Sequence, residues 1–379
     1  MRIASLTVAA IFCGILLAGS WITGGAAWNR FSGSAVRRLY YVWTRGVEFS
    51  QKVKDPLVTL NGGWNRLLGR RRCNGMLKLP SGHLIGLIGH KKDDARNIRE
   101  IVSRMTELKD ICSESGARML FVQTPYRNCM LESDWTYPTD ATADRADALM
   151  NALAAGGVDA IDLRQSLRSA ASDIPKMYYK TDNHWTLEAA LAMTPEIVCR
   201  ITGQSDIGTW RSVPLEWRNL GAYGRKTGRW YSGLDDFVYF VPTFRTDLKK
   251  VRSDGMVHKT GSFEQLVVDA RALEKPESEF RQNVYAVYGG NLNYLRFENP
   301  DARYPERLLI IRDSYARPMA AYMAALFKGV VQMDLRDIAK VEDGRKQTVT
   351  GVVAAFKPDV VLIMYNSSLM LNPELYHWN

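Results

Sequence analysis

The chain has 379 residues, 46% of them hydrophobic and 24% charged, the balance of a folded globular protein and not of a disordered one. Its formal net charge of +10 favours anionic partners such as acidic polysaccharide or phospholipid head groups, although a solvated basic surface with no specific partner accounts for it equally well. There is no helix-turn-helix, zinc-finger or RNP-like pattern and no metal-ligand spacing of Cys or His, so neither nucleic acid nor a metal or other cofactor is expected.

Residues 3–28 contain no charged side chain and residues 6–17 are mostly aliphatic, with Arg2 in front. This reads as a signal peptide or an uncleaved signal anchor. Small residues at 18–20 and 25–27 offer cleavage sites. Arg30, Arg37, Arg38 and Arg45 follow, and the positive-inside rule alone would keep them in the cytoplasm. The extracytoplasmic orientation expected here rests on the motifs further along. Residues 29–72 read as a juxtamembrane linker with some helix, and Pro80-Ser81-Gly82 as the turn of a short hairpin.

The catalytic part is expected over 73–379. Ile98, Ile101, Val102, Met105, Leu108 and Ile111 have helical spacing with one buried face, predicting a helix over 93–112 that Gly116 ends. A short buried strand at 118–122 stops at Pro125, a helix fits 140–155, and a strand fits 158–163. Thr186 caps a helix over 187–200. Residues 205–285 are rich in Trp, Tyr, Phe, Gly and charge and read as an irregular or β-rich insertion. Strands at 307–312, 330–333 and 360–364 then alternate with helices at 316–327 and about 343–356. Such alternation predicts βαβ units: an α/β fold with a mostly parallel sheet flanked by helices. Of five cysteines, Cys13 lies in the apolar segment; Cys73, Cys112, Cys129 and Cys199 allow two disulfides or remain buried thiols.

Three segments carry chemistry. In Thr181-Asp182-Asn183-His184-Trp185-Thr186, an acid sits two residues before one of only five histidines, just ahead of a helix. A catalytic imidazole needs a carboxylate on Nδ1, which an Asp at this spacing supplies by folding back. Alone, the segment fits a helix cap beside a packed His equally well. In residues 308–316 an apolar strand ends in Asp313-Ser314 and a helix follows at once. That puts the Ser314 hydroxyl at the carboxyl end of a parallel strand, facing helix N-terminal N–H groups, although a plain N-cap serine has the same signature. Third, 285–288 is expected as a strand running into Gly289-Gly290-Asn291, a source of oxyanion donors or simply a turn.

Together these segments resemble the DHHW family, which is similar to the SGNH-like periplasmic alginate O-acetyltransferases. The run from Thr181 to Thr186 resembles the Asp-His-His-Trp motif, and Arg312-Asp313-Ser314-Tyr315 resembles that family's Asp-Ser-Tyr segment. The order Asp182, His184, Ser314 matches the acetyltransferase branch; ordinary SGNH hydrolases have the serine first. Residues 223–228, 235–239, 287–291, 333–336 and 364–366 resemble further family segments, so the likeness covers roughly 73–370. The resemblance implies an SGNH-hydrolase-like (flavodoxin-like) fold and a serine O-acetyltransferase of a cell-surface or exported polysaccharide, with an esterase or an inactive glycan-binding protein as alternatives. It implies Ser314 as nucleophile, His184 as base and Asp182 as its orienter. It places Asn291, Gly290, Tyr315, Tyr365 and Arg312 around the oxyanion and substrate, and it implies a membrane-bound partner supplying acetyl groups. Two departures stand out: Arg312 replaces the small Gly of SGNH enzymes, where it narrows the site or binds an anionic substrate, and Asn183 replaces the first His of the motif. Trp210, Trp217, Tyr223, Trp230 and Tyr231 are either a sugar-stacking platform or packing aromatics.

Overall fold

The computed structural model describes residues 51–131, 140–281, 283–290, 292–337 and 347–379. The apolar stretch 3–28 and Asn291 lie outside these; among the described residues no helix is long and apolar enough to cross a membrane. Residues 57–379 form one compact unit.

In chain order the structure begins with helix α1 (Gln51–Leu67) and three short antiparallel strands, β1 (Arg72–Cys73), β2 (Met76–Lys78) and β3 (Leu84–Ile85), the last two joined by the hairpin expected at Pro80. Helix α2 (Asp94–Glu114) leads to β4 (Arg118–Thr124), and α3 (Thr142–Ala155) to β5 (Ala160–Asp162) and α4 (Leu163–Ala170). Helix α5 (Leu187–Thr202) starts at Thr186, whose side chain accepts from Ala189 N–H. The next region holds β6 (Trp210–Pro214), α6 (Ala222–Thr227), α7 (Arg229–Ser232), β7 (Val238–Pro242), β8 (Leu248–Val251) and β9 (Val257–Gly261). The chain closes with β10 (Tyr294–Glu298), β11 (Tyr304–Arg312), α8 (Arg317–Leu326), β12 (Phe327–Met333), α9 (Val349–Phe356) and β13 (Val360–Asn366).

The main sheet has eight strands in the order β5-β4-β13-β11-β12-β10-β8-β9. From β5 to β12 all pairings are parallel; β10, β8 and β9 continue it antiparallel. Helices cover both faces. Leu120, Leu308, Ile310, Leu362 and Met364 share one core cluster with α4, α5 and α8 residues. Phe121, Leu309, Ile311, Val361 and Ile363 share the other with α2, α3 and α9. Burial on both faces is why β11 and β13 read as unbroken apolar runs instead of alternating.

The insertion expected at 205–285 is β-rich: β8 and β9 are edge strands of the main sheet, while β6 and β7 pair only with each other. One expectation is corrected. Residues Val284–Val287 form a 3-10 turn, not a strand, because the chain bends there to bring Tyr285 and Tyr288 inward, both almost fully buried. Strand β10, pairing with β12, was not expected. Helix α8 is buried at every position. Trp210 of β6 lies edge-on to Tyr322 of α8 with centroids 4.9 Å apart, so the insertion covers what would otherwise be an exposed apolar face. Cys73, Cys112, Cys129 and Cys199 are all free thiols.

Candidate active site

Ser314 follows the carboxyl end of β11, between Asp313 and the start of α8. Asp313 shapes this corner. Its Oδ1 accepts from Tyr315 N–H at 2.8 Å and from Ala316 N–H at 3.3 Å, and its Oδ2 accepts from the backbone N–H and side-chain amide of Asn366 at 2.8 and 2.6 Å. One buried carboxylate thus ties the end of β13 to the first turn after Ser314 and leaves the serine half-buried at the rim.

The Asp182–His184 loop reaches the same place from the turn before α5. Ser314 Oγ lies 2.9 Å from His184 Nε2, and His184 Nδ1 lies 2.5 Å from Asp182 Oδ1. With the carboxylate ionised, Nδ1–H donates to Asp182 and Nε2 accepts from the serine hydroxyl. Burial alone would push the Asp182 carboxyl up. The His184 ring and the N–H groups of Ala222 and His184 outweigh it and hold the group well below the usual carboxylate range. Oδ2 accepts from Ala222 N–H at 2.7 Å and Oδ1 also accepts from His184 N–H at 3.1 Å.

The two motifs are laced together. Trp185 Nε1–H donates to the Tyr315 carbonyl at 3.0 Å, and the Tyr315 hydroxyl donates to the Asn183 carbonyl at 2.8 Å. This fixes the half-buried Asn183 by its backbone, which is why its side chain differs from the family motif without disturbing the Asp182–His184 pair.

The remaining expected residues divide. Arg312 is 1% exposed; its Nη1 lies 3.4 Å from Asp334 and its Nε 3.2 Å from Gln332 Oε1. It belongs to a buried ion pair and does not narrow the mouth of the site. Desolvation, with Arg317 next in weight, lowers its pKa to about 9. Tyr365 is corrected: alternation along β13 turns it to the opposite face of the sheet, where its hydroxyl donates to the Leu375 carbonyl and its ring meets Tyr376, away from Ser314. Gly290 N–H is spent on the Ala286 carbonyl at 3.0 Å, and Tyr315 N–H on Asp313, so neither is an oxyanion donor. Ser314 N–H, by contrast, has no acceptor among the described residues. Of the five aromatics, Trp210 packs against Phe263 and Tyr322, Tyr231 is buried with its hydroxyl on the Arg70 carbonyl, and Trp230 is 48% exposed.

Three supports were not assigned a role from the sequence. The Tyr285 ring stacks on His184 with centroids 3.8 Å apart and planes 13° from parallel. Arg127, just past the end of β4, is fully buried and donates through Nη1 to the Asp182 carbonyl. The loop at Gly221 presses on Asp182 so closely that a Cβ there would stand 2.5 Å from the Asp182 Cβ. Behind it, Asp235 accepts from Lys180 N–H, Thr181 N–H and the Thr181 hydroxyl at 2.7, 2.8 and 2.6 Å. A strand end followed by Pro-Tyr-Arg was the one hint, since such ends line sites in open sheets.

Comparisons with known proteins agree with the motif resemblance. Residues 88–211 match the family model of the SGNH hydrolase-like domain of the acetyltransferase AlgX, a span that includes Asp182 and His184. Among curated protein sequences none matches this chain. A DHHW family protein from Eubacterium siraeum superposes with a TM-score of 0.62 at 17% identity, over 80% of this chain and 95% of that one. PatB1 of Bacillus cereus, solved with a sulfonyl adduct, superposes with a TM-score of 0.63 at 19% identity, over 80% of this chain and 98% of that one. The chain therefore has the SGNH-like α/β fold of these proteins.

Proposed function

We propose that this chain is a serine O-acetyltransferase that moves acetyl groups onto hydroxyls of an exported or cell-surface polysaccharide. The observation that carries the reading is the unbroken hydrogen-bonded line from Asp182 through His184 to Ser314. It is supported by the match of residues 88–211 to an acetyltransferase domain model.

In this reading His184 Nε2 takes the proton from Ser314 Oγ as the oxygen attacks the acetyl carbonyl of a donor ester or thioester. The negative charge that develops on the carbonyl oxygen meets Ser314 N–H, with Asn291 proposed as a second donor on its motif alone. The imidazolium, stabilised by Asp182, returns its proton to the leaving oxygen or sulfur, and an acetyl-serine ester remains. A glycan hydroxyl then gives its proton to His184 and attacks the ester; the bond to Ser314 Oγ breaks, the serine oxygen takes the proton back from His184, and the acetylated glycan leaves. Water in the acceptor's place turns the same site into an esterase. The reading places the site outside the cytoplasm, with a membrane-bound partner supplying acetyl groups and residues 3–28 as signal or anchor.

The test is p-nitrophenol release from p-nitrophenyl acetate by the wild type and by Ser314→Ala, with added oligosaccharide. Activity lost in the variant and raised by oligosaccharide supports the transferase; equal rates in both proteins sink it. Sulfonylating reagents esterify activated hydroxyls. Intact-mass analysis after a sulfonyl fluoride is therefore expected to show one added sulfonyl group on the wild type and none on Ser314→Ala.

A further inference from the structure

Close to Ser314 in the chain lies an arginine that has no hydrogen bond or ion pair among the described residues. Arg317 opens α8, three residues after Ser314, and is 6% exposed. Its Nε is buried without a hydrogen-bond partner, and no ion pair or hydrogen bond reaches its guanidinium among the described residues. Its electrostatic surroundings are Asp334, Arg336, Asp313 and Tyr285, the last being the ring that stacks on His184. Neither acid is available to it. Both Asp313 oxygens are held by N–H groups of Tyr315, Ala316 and Asn366. Both Asp334 oxygens are held by Arg336, at 2.8 and 2.6 Å, with Arg312 sharing one of them at 3.4 Å. Three guanidiniums, Arg312, Arg317 and Arg336, thus face two carboxylates already spoken for. A buried cation without a partner is costly, and the site lowers that cost when an anion enters. The N-terminus of a ten-residue helix favours negative charge at the same point.

We infer that Arg317 and the start of α8 form an oxyanion-binding subsite beside Ser314, which takes a carboxylate or phosphate carried by the substrate. The subsite is a property of the fold; its link to a substrate rests on the acyl-transfer reading. Two planar donors on the guanidinium match either oxyanion. A group anchored there presents its neighbouring hydroxyl or ester to Ser314, so the subsite selects charged over neutral partners.

The experiment is calorimetric titration of the full-length chain, kept in detergent at constant ionic strength, with D-glucuronate, inorganic phosphate and D-glucose. Wild type is expected to bind at least one of the anions and not glucose. Glucuronate alone points to a carboxylate-bearing saccharide, phosphate alone to a phosphorylated substrate or donor, and both to an oxyanion site serving either. Arg317→Gln is expected to weaken the anion about tenfold or more, the loss of a charge-assisted hydrogen bond, and Arg317→Lys to recover part of it. Wild type binding neither anion, or equal affinity in Arg317→Gln, overturns the inference. If Arg317→Gln does not fold by circular dichroism, the wild-type and Arg317→Lys titrations still decide. The titration needs no turnover, so it stands or falls separately from the Ser314→Ala result.

Discussion

Replacing Asp182 by asparagine tests the reasoning about the site most directly. The carboxylate accepts from His184 Nδ1 and His184 N–H on one oxygen and from Ala222 N–H on the other. An amide cannot reproduce this. If its oxygen faces His184, its NH2 group meets Ala222 N–H, donor against donor, at a cost of about 1–3 kcal/mol. If it flips, its NH2 group faces Nδ1, which must then accept, so the ring proton moves to Nε2 and points at the Ser314 hydroxyl. The base is lost while the scaffold stays. Wrong-tautomer substitutions of this kind lower kcat by about 10⁴-fold in Ser-His-Asp enzymes, or about 5.5 kcal/mol at 1.36 kcal/mol per tenfold. The assay is steady-state p-nitrophenyl acetate hydrolysis beside chemical denaturation of both proteins. Because the folded-state pKa is depressed, the carboxylate's contribution to stability is complete above its unfolded value of about 4 and fades as pH falls below it. The stability gap between wild type and variant therefore narrows as pH falls below about 4. A kcat within tenfold of wild type, or a gap that does not narrow below about pH 4, would refute the argument.

Other outcomes follow from the same contacts. Tyr285→Leu removes the face that holds the His184 ring and is expected to lower kcat about tenfold with little change in KM; a KM effect alone would assign Tyr285 to substrate binding instead. Arg127→Met keeps the volume of a buried guanidinium whose Nε and Nη2 have no partner, so stability in urea is expected to hold or rise while kcat falls; strong destabilisation counts against it. Gly221→Ala forces a methyl against Asp182 and is expected to cost about 1–3 kcal/mol together with activity, read by denaturation and hydrolysis side by side. Among Cys73, Cys112, Cys129 and Cys199, the exposed Cys199 is expected to react first with a disulfide reagent. Burial raises the Cys112 thiol to about 12, so mass mapping should find it unmodified until the protein unfolds.

Local features are legible from the residues alone. Apolar runs bounded by Gly and Pro fix β4, β11 and β13, and helical spacing fixes α2, because strands buried on both faces and amphipathic helices differ in period. The Asp182–His184 and Asp313–Ser314 segments were legible for the same reason: each holds its key residues within two positions, beside a helix start. Features that depend on which faces meet come from packing. The 130-residue gap between His184 and Ser314 closes at 2.9 Å because the turn before α5 reaches the carboxyl end of β11, and no spacing rule encodes that approach. Tyr365 fell on the far face because one step along a strand reverses a side chain, a parity set by the sheet's layers and not by the motif. Tyr285 and Arg127 come from segments with no periodicity of their own; only the chain's return brings them against His184 and Asp182. Arg312 and Arg317 carry the same charge in the sequence, yet the fold gives the first Asp334 and leaves the second without a hydrogen bond or ion pair among the described residues, because the Asp334 oxygens are already shared between Arg312 and Arg336.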